Sequence, residues 1–321
     1  MAPEQILLAV LVAGIVLYTL FGGADFGVGV WEFSTAFQSS EKEREHLYRA
    51  IGPVWEANHV WLIFILVILF SAFPPAFAAI CRFLWVPLLL ALVGIIFRGV
   101  GFAFRSYAAG LVRHQAFWGI VFSVASTATP FFLGAAFGAM ASGKEEWLSP
   151  FSIFSAFFFV GACAYLSAVY LAREAQTDRN ADLETLWQRR AVTMGIWMGV
   201  LALAGLAIIA TDAPVLWEGF KKKSWIFVIF SSVSGLLSLT ALQYRRFFLA
   251  TFCSQSAVIG VVLGWIAAQY PVLVWPALTV NMAKSPDPVL WAMIFSLAIG
   301  SIFLIPSLAW LFYLFKGRRP L

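Results

Sequence analysis

Charge is scarce in this chain. Asp, Glu, Lys and Arg make up 12% of its 321 residues, against 62% hydrophobic residues. Soluble domains carry roughly a quarter charged residues, so a water-exposed globule is excluded. Cysteine and histidine are scarcer still, at three each. Cys81, Cys163 and Cys253 lie far apart, in or beside apolar runs, with no CxxC and no Cys–His pair at metal-ligand spacing. They read as small packing residues, and no zinc or iron–sulfur site is expected. His46 and His114 fall in polar connections and read as solvated. His59 is then the one histidine near membrane depth, which argues against a haem held by this chain. The formal charge of +5 is spread over short connections without forming a basic stripe, so nucleic acid is not an expected partner.

Long apolar runs are what the chain has instead, with a mean hydropathy of +0.88. A bilayer core about 30 Å thick takes about 20 apolar residues per helix. Nine runs meet or approach that length, at 4–31, 59–79, 83–104, 116–140, 151–171, 191–210, 225–242, 247–269 and 288–315. Helices satisfy their own backbone where water is absent. The expectation is an all-α, polytopic membrane protein with nine transmembrane helices in a single transmembrane domain over residues 1–321. The longer polar connections, 32–58 and 172–190, follow the first and fifth runs, which suggests two four-helix bundles plus one peripheral helix. EKEREHLYR after Ser39 and Ser40 reads as a capped amphipathic surface helix. The first run lacks a basic leader and a small-x-small cleavage site, so it reads as a retained helix.

Orientation follows from Lys and Arg. With the N-terminus outside, inside connections and helix ends hold 15 of the 21 basic residues and outside ones hold 6. Excess basic charge marks the cytoplasmic side, so the C-terminus is expected there. Trp31, Trp61, Trp85, Trp118, Trp147, Trp217, Trp225, Trp275 and Trp291 fall near run ends, as interfacial anchors do.

Against this background the ionisable residues between Phe21 and Arg105 stand out, because charge at membrane depth persists only where it is paired, hydrated or used. FGGADFGVGV sets Asp25 among glycines that let another helix approach, so Asp25 should face protein. Glu32 lies seven residues on, on the same face and about 10 Å nearer the inside surface. The two read as steps of a proton path or, alternatively, as a structural carboxylate and a solvated one. IGPVWEANHVW packs Trp55, Glu56, Asn58 and His59 behind Pro53 at a helix start. Glu56 and His59, three apart, form a relay or a capping pair. In GIIFRGVGFAFRSY, Gly94, Arg98, Gly101 and Arg105 make one stripe of small and cationic residues. Arg98 is placed to neutralise Asp25 or Glu56, and Arg105 either joins it or snorkels to the inside surface. Ser123, Ser126, Thr127 and Thr129 precede Pro130 and read as repairing backbone bonds at a kink.

Taken in order, GADFGVG, GPVWEANHVWLI with FSAFPPAFA, and FRGVGFAFR resemble the motifs of subunit II of cytochrome bd-type quinol oxidases. The dense match covers residues 21–107, with a looser echo in YPVLVWPALTV and SPDPVLW. The resemblance implies a subunit of a quinol:oxygen oxidoreductase in a bacterial or archaeal-type plasma membrane. It implies a partner, subunit I, that carries haems b and d, while this chain ligates none, supports assembly and offers a cytoplasmic proton route. Small single-helix subunits, membrane lipids and a structural quinone are further partners in keeping with it. By position, Asp25, Trp55 and Glu56 carry over to the proton route, with His59 and Glu32 beside them and Asn58, Arg98 and Arg105 in support. One departure stands out: Glu56 replaces an Asp of well-known members, and Ala57-Asn58-His59 replaces Gly-Asn-Gln or Gly-Asn-Glu. A proton-coupled secondary transporter and a purely structural scaffold remain as alternatives at this stage.

Overall fold

The computed structural model describes residues 2–35, 41–51, 55–107, 112–144, 146–274 and 278–316. Among these residues the fold is all-α apart from one small antiparallel strand pair. Pro3 opens α1 (Pro3–Leu17), which passes through a π-helical turn, Tyr18–Gly22, into α2 (Gly23–Thr35). Together they form one apolar span. The amphipathic helix α3 (Glu41–Ile51) follows, as the charged run predicted; Ser39 and Ser40 lie outside the described residues.

The run at 59–79 differs from expectation. It is two helices, α4 (Trp55–Ala72) and α5 (Pro74–Phe83), bent by 117° at Phe73. Proline has no N–H and disfavours helical backbone in the residue before it, so Pro74-Pro75 ends one helix and starts another. The chain continues through α6 (Trp85–Tyr107), α7 (Val112–Ser142), α8 (Pro150–Thr177) and α9 (Ala181–Asp212). The polar stretch 172–190 is therefore mostly helix, because α8 and α9 continue past their apolar runs. Asn180 caps α9 by accepting from the Leu183 N–H at 3.2 Å.

Next come α10 (Pro214–Gly219), a second π-helical turn, α11 (Trp225–Gln243) and α12 (Phe247–Gln269). Strands β1 (Val272–Val274) and β2 (Leu278–Thr279) pair antiparallel, and α13 (Val280–Ala283) and α14 (Asp287–Lys316) complete the described chain. Lys284 holds Asp287 at 3.0 Å and Glu4 at 3.4 Å, which ties the start of α14 to the start of α1. The hydrogen bond to Asp287 pushes the Lys284 ammonium above its ordinary pKa.

Among the described residues, eight helices are long and apolar enough to cross a membrane, or nine if the bent α4–α5 pair is one span. Their outer faces carry many exposed apolar side chains, as a lipid-solvated bundle requires. The first span, α4, α6 and α7 form one group, and α8, α9, α11 and α12 the other. They meet where α2 packs on α7 and α8, while α14 packs chiefly on α1 and, to a lesser extent, on α4.

The central seam is close because α2 presents glycine there. A Cβ at Gly27 would fall on the Cys163 backbone carbonyl of α8, and one at Gly29 on the Ser126 side chain of α7. The hydrophobic clusters on either side of this seam are built on Leu171, Trp187 and Leu242, and on Leu7, Ile68 and Phe73.

Helix α3 docks by its inner face. Leu47 is buried, His46 Nε2 donates to the Leu171 carbonyl at 3.3 Å, and Glu43 pairs with Arg190 of α9 at 2.5 Å. Solvation of His46, expected from its polar surroundings in sequence, is thus incorrect: the ring is buried and lies against Trp187.

Two outcomes follow from this packing. Gly27→Ala should destabilise the purified protein by about 1–3 kcal/mol through overpacking, read as a lower thermal midpoint. Gly235→Ala, where nothing lies within 4 Å of the added carbon, should not. Leu47→Ala should weaken α3 docking by about 2–5 kcal/mol, seen as faster tryptic cleavage at the exposed Lys42 and Arg44.

Candidate functional site

The site is built on two helices in register. Asp25 and Glu32 sit on α2, Arg98 and Arg105 on α6, and each acid meets the arginine 73 positions later. Equal offsets mean that α2 and α6 run parallel, and seven residues set the two pairs about 10 Å apart along the axis.

The deeper pair is fully enclosed. Arg98 Nη2 donates to Asp25 Oδ1 at 2.6 Å, and Arg98 Nε donates to Ser126 Oγ of α7 at 3.1 Å. The guanidinium lies 4.9 Å from the Phe26 ring centroid and 5.2 Å from that of Phe122. Arg98 is 0% exposed and Asp25 9%. The Coulomb attraction, two charge-assisted hydrogen bonds and the two aromatic faces together replace the water that both ions lose. The second pair, Arg105 Nη1 to Glu32 Oε1 at 2.5 Å, is only partly buried. Gly119 of α7 lies against it and leaves room for both side chains.

Helix α4 completes the third side. Asn58 is buried, and His59 is half-buried within electrostatic reach of Arg98 and Asp25. Trp55 and Glu56 begin this helix, but their side chains lie outside the described residues. Of the residues singled out in sequence, the structure therefore brings together Asp25, Arg98 and His59, and separately Glu32 with Arg105.

Three readings change. Glu32 is not simply solvated and Arg105 does not snorkel alone, because each is the other's partner. Ser123, Thr127 and Thr129 bond to backbone carbonyls as expected before Pro130, whereas Ser126 serves Arg98. Trp31 is not a lipid anchor: its indole donates to the Ala164 carbonyl at 2.9 Å and meets Trp187 edge to face.

Sequence reasoning missed the Arg190 cluster. This guanidinium lies 4.7 Å from the Trp187 ring and 5.2 Å from the Trp31 ring while holding Glu43. Only the unusual tryptophan in a polar stretch, WQRR, hinted at it.

Among the described residues no group of three or more His, Cys, Asp or Glu is arranged to hold a metal ion. A separate cavity of about 90 Å³ lies between α1, α5 and α12, lined by Leu8, Leu11, Ile80, Trp265 and Gln269 among others. Trp265 Nε1 and Gln269 Oε1 are buried there without a hydrogen-bond partner.

Known proteins resemble this chain in sequence and fold. The family model described as cytochrome bd terminal oxidase subunit II matches residues 3–315. The chain is 27% identical to cytochrome bd ubiquinol oxidase subunit 2 of Bacillus subtilis (strain 168), over 98% of this chain and 95% of that one. It is 26% identical to cytochrome bd-I ubiquinol oxidase subunit 2 of Escherichia coli (strain K12), over 93% of this chain and 78% of that one. Its fold is similar to a chain in the structure of bd oxidase from Geobacillus thermodenitrificans, with a TM-score of 0.84, 22% identity and coverage of 99% and 100%. With membrane spans and family pattern matched along nearly its whole length, this chain belongs to the cytochrome bd terminal oxidase subunit II family and is a membrane-embedded subunit of a quinol oxidoreductase complex.

Proposed function

We propose that this subunit supports a haem-bearing subunit I and delivers protons from the cytoplasm towards its oxygen-reducing site. The observation that supports this reading is the two-step ladder of ion pairs along α2 and α6. By the excess of Lys and Arg, the Glu32 end faces the cytoplasm, with the N-terminus outside and the C-terminus inside. Glu32 takes protons from water at the mouth, and Asp25 receives them at depth. Arg105 and Arg98 supply the opposite charge, so neither carboxylate is left as a bare buried ion. The rungs are about 10 Å apart, too far for one proton hop, so Glu56, His59 and water carry the intermediate steps. Trp55 and Asn58 position that segment.

Haem belongs to the partner in this reading. His46 is committed to the Leu171 carbonyl, and the residues lining the apolar cavity include no histidine. Haems b and d in subunit I would supply oxygen chemistry and electron transfer; this chain binds, scaffolds and moves protons. A structural quinone remains a family-implied partner of the complex; the cavity at α1, α5 and α12, at about 90 Å³, is smaller than one that admits benzene and does not hold it. Small single-helix subunits and lipids are expected on the exposed apolar faces. Residues 1–321 act as a single transmembrane unit. Family membership speaks against the secondary transporter.

Neutralising Asp25→Asn or Glu32→Gln in the intact complex should keep the haem spectrum and lower quinol-driven oxygen consumption. Positioned proton-transfer groups contribute about 10²–10⁴-fold. Water offers a partial bypass, so a loss of about tenfold or more is expected for Asp25→Asn. Full turnover in both variants would favour the purely structural scaffold.

A further inference from the structure

The cavity between α1, α5, α7 and α12 has one wall unlike the rest. Leu8, Leu11, Ile80 and Met140 line it with apolar side chains, while α12 contributes Trp265 and Gln269 from its last two turns. These two residues are 9% and 5% exposed, and among the described residues Trp265 Nε1 and Gln269 Oε1 have no hydrogen-bond partner. The indole nitrogen can only donate and the amide oxygen can only accept. Buried polar atoms are almost always satisfied, so this wall calls for a guest that accepts from one and donates to the other.

Both side chains are held where they stand. Gln269 Nε2 donates to the Leu273 carbonyl of β1 at 2.9 Å, which identifies the two ends of the amide and leaves Oε1 as the free acceptor. Swinging the amide round to meet Trp265 directly would break that bond. The Trp265 ring packs on Phe137 of α7, with centroids 4.0 Å apart, so the indole is fixed as well. Four residues apart, Trp265 and Gln269 are neighbours on one face of α12.

Size and chemistry then select the guest. A volume of about 90 Å³ is more than one water requires and less than a cavity that admits benzene. An acyl chain entering from the membrane would leave both polar atoms unpaired. Water satisfies both, because its oxygen accepts while its hydrogens donate.

We propose that this cavity is a hydration site, in which an ordered water accepts from Trp265 Nε1 and donates to Gln269 Oε1. The chain of bonds then runs from Trp265 through the water and the Gln269 amide to Leu273, and fastens β1 to the last turns of α12. Because β1 pairs with β2, which leads into α13 and α14, the water helps to fix the whole connection between α12 and α14.

A cryo-EM map of the assembled oxidase that resolves waters elsewhere in this chain tests the site directly. Density within hydrogen-bond distance of both Trp265 Nε1 and Gln269 Oε1 is expected. Elongated acyl-chain density, density on only one of the two atoms, empty space, or a direct bond between them overturns the proposal. Hydrogen exchange of peptides spanning β1 tests the link to the strand. Trp265→Phe and Gln269→Met should each speed exchange several-fold, and Trp265→Phe should add little in the Gln269→Met background, because both break the same chain of bonds. Independent packing roles would instead multiply the two accelerations, and that result would overturn the water bridge. Should either variant fail to assemble, the map alone decides.

Discussion

An arginine with no exposed surface has to be satisfied by protein, and Arg98 governs how the first half of this molecule packs. Its partners come from two elements beside its own helix: Asp25 and Phe26 on α2, and Ser126 and Phe122 on α7. Removing one member of a buried ion pair costs about 3–5 kcal/mol because the other is left uncompensated. Attraction alone does not explain the retention of such a pair, since well-packed apolar residues often do as well. Its value is registry. With Asp25 facing Arg98, Glu32 necessarily faces Arg105 two turns on, and the glycines of α2 meet Cys163 and Ser126 at the points of closest approach.

A second charge-and-ring assembly closes the other face of the same helix. Arg190 of α9 holds Glu43 of α3 and lies over both Trp31 of α2 and Trp187 of its own helix. The residue after Trp31 is Glu32, so the contact that holds α3 and the shallow rung lie within one turn of α2. The two arginine centres thus set α2 against α6 and α7 on one side, and against α3, α8 and α9 on the other.

Much of this was legible in the sequence. Apolar run lengths predicted the membrane spans, and the seven-residue spacing of Asp25 and Glu32, matched by Arg98 and Arg105, predicted common faces. Hydropathy measures solubility in lipid, not helicity, so it could not show that α8 and α9 continue through the polar stretch 172–190. Nor did it show the 117° bend at Phe73, although Pro74-Pro75 marked the place. Side-chain partners across long separations were the least legible. Nothing local distinguishes Ser126, which serves Arg98, from Ser123, which bonds its own helix. His46 looked solvated because its neighbours in sequence are charged, yet the face it occupies is buried against Trp187. Glu56 and Trp55, read from the family pattern, have side chains outside the described residues, and their part in the site rests on that pattern and on His59 beside them.

The central claim is that the carboxylate held by Arg98 carries protons as well as holding helices together. Mixing the fully reduced oxidase with dioxygen, and following proton uptake with a pH-sensitive dye alongside haem absorbance, separates the two roles. In Asp25→Asn the account predicts unchanged dioxygen binding to the haem followed by slowed proton uptake. Proton uptake at the wild-type rate, in a variant that assembles with its full haem complement, would contradict it.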